Sequence, residues 1–179
     1  MLSLKKIAFI FIGIGVVVGL AYLMINSLEP KVRFQKIIGV QANSDTIYTL
    51  MKTPILWKKW YPVFLRDTGA NLETFFYDNG MPRGLQWKSK TEGSGTVKFG
   101  YIIPKSELNY VLFVKEMNVN SIVKVKILPK GKDSTDLLWM IESTLDSSFS
   151  SKAKAFLFDR VLQSEVENIE LNLKHYFKK

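Results

Sequence analysis

Residues 148–179 read SFSSKAKAFLFDRVLQSEVENIELNLKHYFKK, and this stretch decides the fold. Ser147 or Ser148 is a suitable N-cap, and Lys174 and His175 suit the negative end of a helix dipole. The pattern predicts a helix of about thirty residues, roughly 45 Å long, which must bury its apolar stripe on something large. The apolar residues that recur near helical spacing are Phe149, Ala153, Phe156, Leu157, Val161, Ile169, Leu173 and Tyr176.

The residues before this helix read as short strands separated by turns. Asp78-Asn79-Gly80 and the Pro129 to Asp133 segment are typical turn sequences, and the strands follow one another at hairpin spacing. We therefore predict an α+β fold in which a strongly curved, mainly antiparallel sheet of about seven strands covers the helix. The predicted strands are residues 32–40, 72–77, 85–89, 96–103, 107–115, 121–128 and 135–145.

Residues 7–25 form an uncharged, proline-free apolar run from Ile7 to Ile25. As a helix it reaches about 28 Å, close to the ~30 Å hydrocarbon core of a bilayer. A cleaved signal peptide is the alternative, but its apolar core is usually ~7–15 residues and ends at a small-x-small site. We predict an uncleaved transmembrane anchor over residues 1–29, which holds a domain of residues 30–179 to the lipid bilayer.

The charges around this run give only a weak indication of orientation. Lys5 and Lys6 precede it, and Lys31, Arg33 and Lys36 follow it, so the count is near parity. A short amino-terminal flank stays in the cytoplasm most simply. We predict a single-pass membrane protein with a cytoplasmic N-terminus and an extracytoplasmic domain.

Composition narrows the possible chemistry. The chain of 179 residues has no Cys and one His, His175, so thiolate nucleophiles and Cys-ligated zinc are excluded and a Ser-His-acid triad is disfavoured. No tight acidic cluster indicates a metal site, and no cofactor is expected. The net charge is +9, but the basic residues are spread out, so no nucleic-acid partner is predicted.

Four segments resemble a known family. These are FQKIIGVQANSDTIYTLMKTPILWKKWYP (34–62), LQWKSKTEGSGTVKF (85–99), TDLLWMIESTLD (135–146) and FLFDRVLQSEVENIELNLKHYFKK (156–179). Together they resemble the helix-grip fold of the START-like superfamily, also called SRPBCC or the polyketide cyclase/dehydrase and lipid-transport family. The run at residues 7–25 is similar to the membrane helix of one subfamily. Residues 63–70 depart from the family pattern, which leaves the cavity entrance undefined.

The resemblance implies a hydrophobic tunnel between the sheet and the long helix. Members of the family bind lipids, sterols, polyketides or other apolar molecules, so a hydrophobic small molecule is the expected partner. Ordinary core packing is the alternative for each candidate, and a one-residue shift would exchange the two faces of a strand. The candidate lining residues are Trp57, Trp60, Trp87, Phe99, Tyr101, Tyr110, Trp139, Glu142 and Phe156.

Three of these candidates carry polar groups. An inward Glu142 in an apolar tunnel would have a raised pKa and could act as an acid or a polar anchor, whereas an outward Glu142 would be solvated. Tyr101 and Tyr110 could each donate a hydrogen bond to a ligand, or to the backbone. These groups would suffice for a cyclase or dehydratase, but nothing in the sequence positively indicates catalysis.

The sequence therefore predicts a membrane-anchored START-like domain that binds a hydrophobic or lipid-like ligand. One alternative is a non-catalytic protein-interaction scaffold whose core is filled by side chains, with an exposed apolar patch for its partner. The other is an enzyme that uses Glu142 with Tyr101 or Tyr110.

Overall fold

A computed structural model describes residues 4–27, 31–145 and 149–178, but not the side chains of residues 4–10, 149–154 and 156–157. The predicted boundary at residues 29 and 30 and the predicted caps Ser147 and Ser148 lie outside the described residues. The helices are α1 (Leu4–Ser27), α2 (Ser44–Lys52), a 3₁₀ helix (Pro54–Lys59), α3 (Pro62–Arg66) and α4 (Phe149–Phe177). The strands are β1 (Lys31–Val40), β2 (Asn71–Phe76), β3 (Pro82–Lys88), β4 (Ser94–Ile103), β5 (Glu107–Val114), β6 (Val119–Pro129) and β7 (Thr135–Thr144).

The seven strands form one sheet in the order β1-β7-β6-β5-β4-β3-β2, and every neighbouring pair is antiparallel. The sheet is curved, and the long C-terminal helix completes the α+β helix-grip architecture. The predicted antiparallel sheet and closing helix are confirmed. Strands β2 to β7 follow each other as hairpins, whereas β1 crosses to pair with β7.

The inner face of the sheet follows from strict alternation along the central strands. Val123 pairs with Tyr110 on one side and with Ile141 on the other, and all three side chains are buried. Helix α4 covers this face with a stripe at three- and four-residue spacing, which is the pattern of a helix half-buried on a sheet. The buried residues of the stripe are Ala155, Phe158, Leu162, Val166, Ile169 and Leu173.

The segment between β1 and β2 contributes buried residues to the core. Asn43 caps α2 because its side-chain oxygen accepts a hydrogen bond from the Thr46 N–H at 2.8 Å. The 3₁₀ helix then brings Trp57 into the core, where its Nε1 donates to the Met51 carbonyl at 2.8 Å. Helix α3 covers part of the segment 63–70, which departs from the family pattern in the sequence.

Helix α1 covers residues 4–27, so the predicted helix is present over the apolar run. Judged on the residues that the structure describes, none of the helices combines the length and the apolarity that crossing a membrane requires. Residues 7–10 of the predicted span have side chains outside that description. The transmembrane anchor is therefore not found here and stays a prediction.

An ion pair ties the edge strand β1 to α4. Lys36 lies on the inner side of β1, and its Nζ is 2.7 Å from Glu170 Oε2; Lys174 Nζ is 2.6 Å from Glu170 Oε1. The Glu170 side chain is only 19% exposed. Hydrogen bonds from Lys174 and Lys36 hold the pKa of Glu170 below its usual value of 4.5.

We expect Glu170→Gln to lower the free energy of unfolding at neutral pH by about 1–2 kcal/mol. A carboxyl whose folded pKa is depressed contributes stability above its unfolded pKa and loses it as the pH falls through the folded value. The difference from wild type should thus shrink as the pH falls below about 4.5. Urea unfolding at neutral pH and in acid measures this. Glu167→Gln is the control, because Glu167 lies on the exposed face of α4; an equal loss in both variants would contradict the prediction.

Candidate ligand cavity

A cavity of about 180 Å³ lies between the inner face of the sheet and α4. Strands β5, β6 and β7 form its floor, α4 forms its roof, and α3 and the β3–β4 turn stand at one side. Most of the lining is aliphatic or aromatic, including Leu112, Val123, Ile141, Leu162 and Val166. The cavity is therefore bounded by both layers of the fold.

Two tyrosines bring hydroxyl groups to this apolar space. Tyr61, just before α3, is 8% exposed, and Tyr110 on β5 is 4% exposed. Burial raises the pKa of both phenols, so both are neutral donors at physiological pH. Among the described residues, no hydrogen bond engages either hydroxyl.

A third donor borders the same space. The buried Nε1 of Trp87 on β3 has no acceptor among the described residues, and the same is true of Trp60 Nε1 in the adjacent core. By contrast, Ser121 on the cavity floor is satisfied by Ser143 through a hydroxyl–hydroxyl hydrogen bond of 2.6 Å. Among the described lining residues, Trp87 thus has an indole donor without an acceptor, whereas the carboxylates of Glu92 and Glu165 are both paired.

Charged groups collect where the lining becomes exposed. Arg66, at the end of α3, donates from Nε to Glu92 Oε2 and from Nη2 to Glu165 Oε1, both at 2.7 Å. These three residues, here called the mouth triad, join α3, the β3–β4 turn and α4. Burial lowers the pKa of Arg66, but hydrogen bonds to Glu92 and Glu165 outweigh that effect and raise it overall. Arg66 is therefore a permanent cation held between two carboxylates.

The mouth triad lies at the end of the sheet where β1 begins. Lys31, the first residue of β1, is paired with Thr144, and Thr144 is paired with Asn120 at the start of β6. The neighbouring turns at this end contribute Met117, which is 46% exposed, and Glu92 to the cavity lining. The cavity thus opens toward the end of the sheet that follows α1.

The structure brings three of the predicted lining residues to the cavity: Trp87, Tyr110 and Trp139. Trp57, Trp60 and Phe99 are buried beside it in the aromatic core and do not line it. The Trp57 ring packs against Trp60 at a centroid distance of 4.9 Å and against Phe99 at 6.2 Å. Phe156 lies on α4, but its side chain is outside the described residues.

The prediction for Tyr101 is wrong because of a β-bulge. The register shifts between Phe99, which is opposite Tyr110, and Ile102, which is opposite Leu108. Between these two pairs β4 therefore contains one residue more than β5. Because of this extra residue, the side chains after Phe99 lie on the opposite face from the one that simple alternation predicts. Tyr101 is turned outward and is 72% exposed.

The inward placement of Glu142 is also wrong. Glu142 follows the buried Ile141 on β7, so alternation puts it on the outer face of the sheet. There it is paired in register with Arg33, and its Oε2 lies 3.5 Å from Arg33 Nε. The enzyme reading based on Glu142 and Tyr101 has no support in this geometry.

Sequence reasoning missed the residues that give the site its polar character: Tyr61, Arg66, Glu92 and Glu165. One signal was available on α4, where Glu165 stands four residues from both Val161 and Ile169 in the apolar stripe. A carboxylate at such a position needs a partner or water.

Among the described residues, no group of three or more His, Asp or Glu side chains comes together as a metal site.

Known structures share this architecture. A START superfamily protein from Mycobacterium smegmatis is 17% identical, with a TM-score of 0.61 over 82% of this chain and 97% of that one. A Staphylococcus aureus protein of unknown function is 11% identical, with a TM-score of 0.62 over 83% and 95%. A point mutant of norcoclaurine synthase from Thalictrum flavum, in complex with a transition-state analogue, is 18% identical, with a TM-score of 0.55 over 81% and 96%.

No protein-family model and no curated protein matches the chain. At these identities the structural likeness shows the fold alone. The chain thus has the START-like, helix-grip fold that its sequence resembles.

Proposed function

We propose that this START-like domain binds a hydrophobic small molecule in the cavity between the sheet and α4. The observation that carries the proposal is the apolar cavity itself, which is lined by the buried phenol residues Tyr61 and Tyr110. Ligand sites are typically apolar concavities with a few polar groups that orient the ligand. A filled-core scaffold is disfavoured because space of about 180 Å³ is left between the two layers.

The size of the cavity favours a small or slender ligand. Pockets for drug-sized molecules usually have about 300–1,000 Å³, so this cavity, at about 180 Å³, is smaller than that range. The similar proteins include a synthase, but none of the groups reported above forms a nucleophile–base pair or an acid–base pair. The proposal is therefore binding rather than catalysis.

The membrane anchor is a second part of the proposal. The run of residues 7–25 is uncharged, and the described apolar side chains on α1 are exposed, such as Phe11 at 69% and Met24 at 71%. A helix with apolar residues on all sides suits lipid. The cavity opens toward the same end of the sheet, which would let a membrane-derived ligand reach it directly. In this arrangement the N-terminus is cytoplasmic and the domain lies outside.

Native mass spectrometry of the purified full chain tests the binding function. We expect a co-purifying small apolar mass that disappears after organic extraction. Val123→Phe fills the cavity floor and should reduce the bound fraction about tenfold, because the added ring occupies the ligand's space. Ile122→Phe is the matched control, since Ile122 is next in the same strand but 60% exposed on the outer face.

Lipid held by α1 should be the same in both variants, so only cavity binding distinguishes them. An identical bound mass in wild type, Val123→Phe and Ile122→Phe would place the ligand elsewhere. A clean unliganded mass, with no uptake from a lipid extract, would instead favour the scaffold.

A further inference from the structure

The interior of the cavity offers hydrogen-bond donors to whatever occupies it. Tyr61 and Tyr110, which carry neutral phenol groups, line the space, and so does Trp87, whose buried indole N–H has no acceptor among the described residues. A buried donor that is left unpaired costs free energy, which a ligand acceptor recovers. A bound molecule with an oxygen acceptor therefore gains more here than a plain hydrocarbon does.

The same interior is unsuitable for a formal charge. Apart from the tyrosines, Ser121 and the mouth triad, the described lining is aliphatic and aromatic, and it has no charged group outside the mouth triad. A carboxylate moved into such surroundings loses its hydration, and neutral donors compensate for only part of that loss. A neutral oxygen, as in an alcohol, ketone or ester, loses much less.

The mouth triad also distinguishes anionic from neutral ligands at the opening of the cavity. One guanidinium stands against two carboxylates, so the triad carries one net negative charge. Both carboxylates are within 2.7 Å of Arg66, so its charge is already compensated before any ligand arrives. An anionic ligand would meet net repulsion at the mouth, although an arginine is present there.

From this geometry we infer that the cavity selects neutral apolar molecules with an oxygen acceptor and rejects carboxylates such as fatty-acid anions. The inference rests on the proposed binding function and specifies its ligand class. In this arrangement Arg66 links α3 to the β3–β4 turn and α4, and the two carboxylates that it binds compensate its charge.

The test compares 1-decanol with decanoate, two probes of equal chain length that differ in charge. Binding to the full chain is followed through tryptophan fluorescence, because Trp87 and Trp139 line the cavity. At about pH 8 decanoate is ionised. Wild type should bind decanol at least about tenfold more tightly than decanoate. Each affinity is calculated from the free concentration of the probe, after its partitioning into micelles has been measured without protein.

Neutralising the two carboxylates should change the preference. In the Glu92→Gln/Glu165→Gln variant, Arg66 keeps its charge without compensation, so the ratio of decanoate to decanol affinity should rise at least about tenfold. Glu142→Gln is the matched control, because it removes an exposed carboxylate from the outer face and should leave the ratio unchanged. Thermal unfolding of each variant checks that the fold is retained.

Arg66→Gln should change the ratio of decanoate to decanol affinity in the opposite direction. It leaves two carboxylates at the mouth, so discrimination against decanoate should become stronger than in wild type. Equal binding of decanol and decanoate by wild type, or an affinity ratio that does not respond to either change, would overturn the inference and leave the binding function standing. If neither probe binds to wild type or to any variant, both the inference and the proposed function fail.

Discussion

Replacing Trp57 with alanine should destabilise the domain more than any other single change discussed here. Trp57 is completely buried, and its ring packs against Trp60, Tyr61, Phe99 and Tyr110 at centroid distances between 4.9 and 6.2 Å. Truncating a buried aromatic residue to alanine typically costs about 3–5 kcal/mol. Because total stability is about 5–15 kcal/mol for a domain, this single change removes a large fraction of it.

Urea unfolding followed by circular dichroism measures this effect, and Trp57→Phe separates its two causes. Phenylalanine keeps most of the ring packing but loses the hydrogen bond to the Met51 carbonyl, so it should cost less than alanine. Ile55→Ala is the control within the same 3₁₀ helix, because Ile55 is 58% exposed. A Trp57→Ala loss below about 1 kcal/mol would show that the aromatic core does not stabilise the domain as its packing indicates.

The second large effect is expected for Gly95→Ala on β4. A Cβ at Gly95 would collide with the Trp87 ring and would stand 2.6 Å from the Phe113 carbonyl oxygen. The indole is rigid and the carbonyl belongs to the neighbouring strand, so neither can move aside easily. Such overpacking costs about 1–3 kcal/mol or more. We also expect altered tryptophan fluorescence, because Trp87 would be displaced from the cavity wall.

Gly100→Ala is a close control, since Gly100 lies in the same strand. There an added Cβ would have its nearest neighbour, the Asn109 carbonyl oxygen, at 3.6 Å, an ordinary van der Waals distance. Thermal unfolding should thus show a clear decrease for Gly95→Ala and little change for Gly100→Ala. Equal unfolding temperatures in the two variants would mean that the Trp87 ring tolerates a Cβ at Gly95, which would contradict the prediction.

The fold could be predicted from the sequence wherever the hydrophobic pattern was uninterrupted. The inward residues of β5 and β6 alternate without a break, so Leu108, Tyr110 and Leu112 share one face of β5. Alternation failed on β4 because the bulge after Phe99 adds one residue to the strand, and strict alternation makes no allowance for it. A glycine inside a strand often marks such a bulge, and Gly100 stands at this one.

The candidate site was harder to predict than the fold, for a physical reason. A large aromatic residue has the same sequence pattern whether it fills the core or lines a cavity, so Trp139 and Trp60 could not be separated. The mouth triad joins Arg66, Glu92 and Glu165 from three elements, and only the tertiary structure brings them together. Its arginine also lies in the segment that did not match the family pattern.

The pairing of the first strand with the last has a consequence for biosynthesis. Lys31 of β1 is opposite Thr144 of β7, so the two partners are separated by about a hundred residues of chain. At a synthesis rate of ~5–20 residues per second, β1 leaves the ribosome roughly 5–20 s before β7 can pair with it. During that interval its apolar positions Val32, Ile38 and Val40 have no partner strand. Lys36, in the middle of that same face, places a charge where an unfinished strand would otherwise attract other nascent chains.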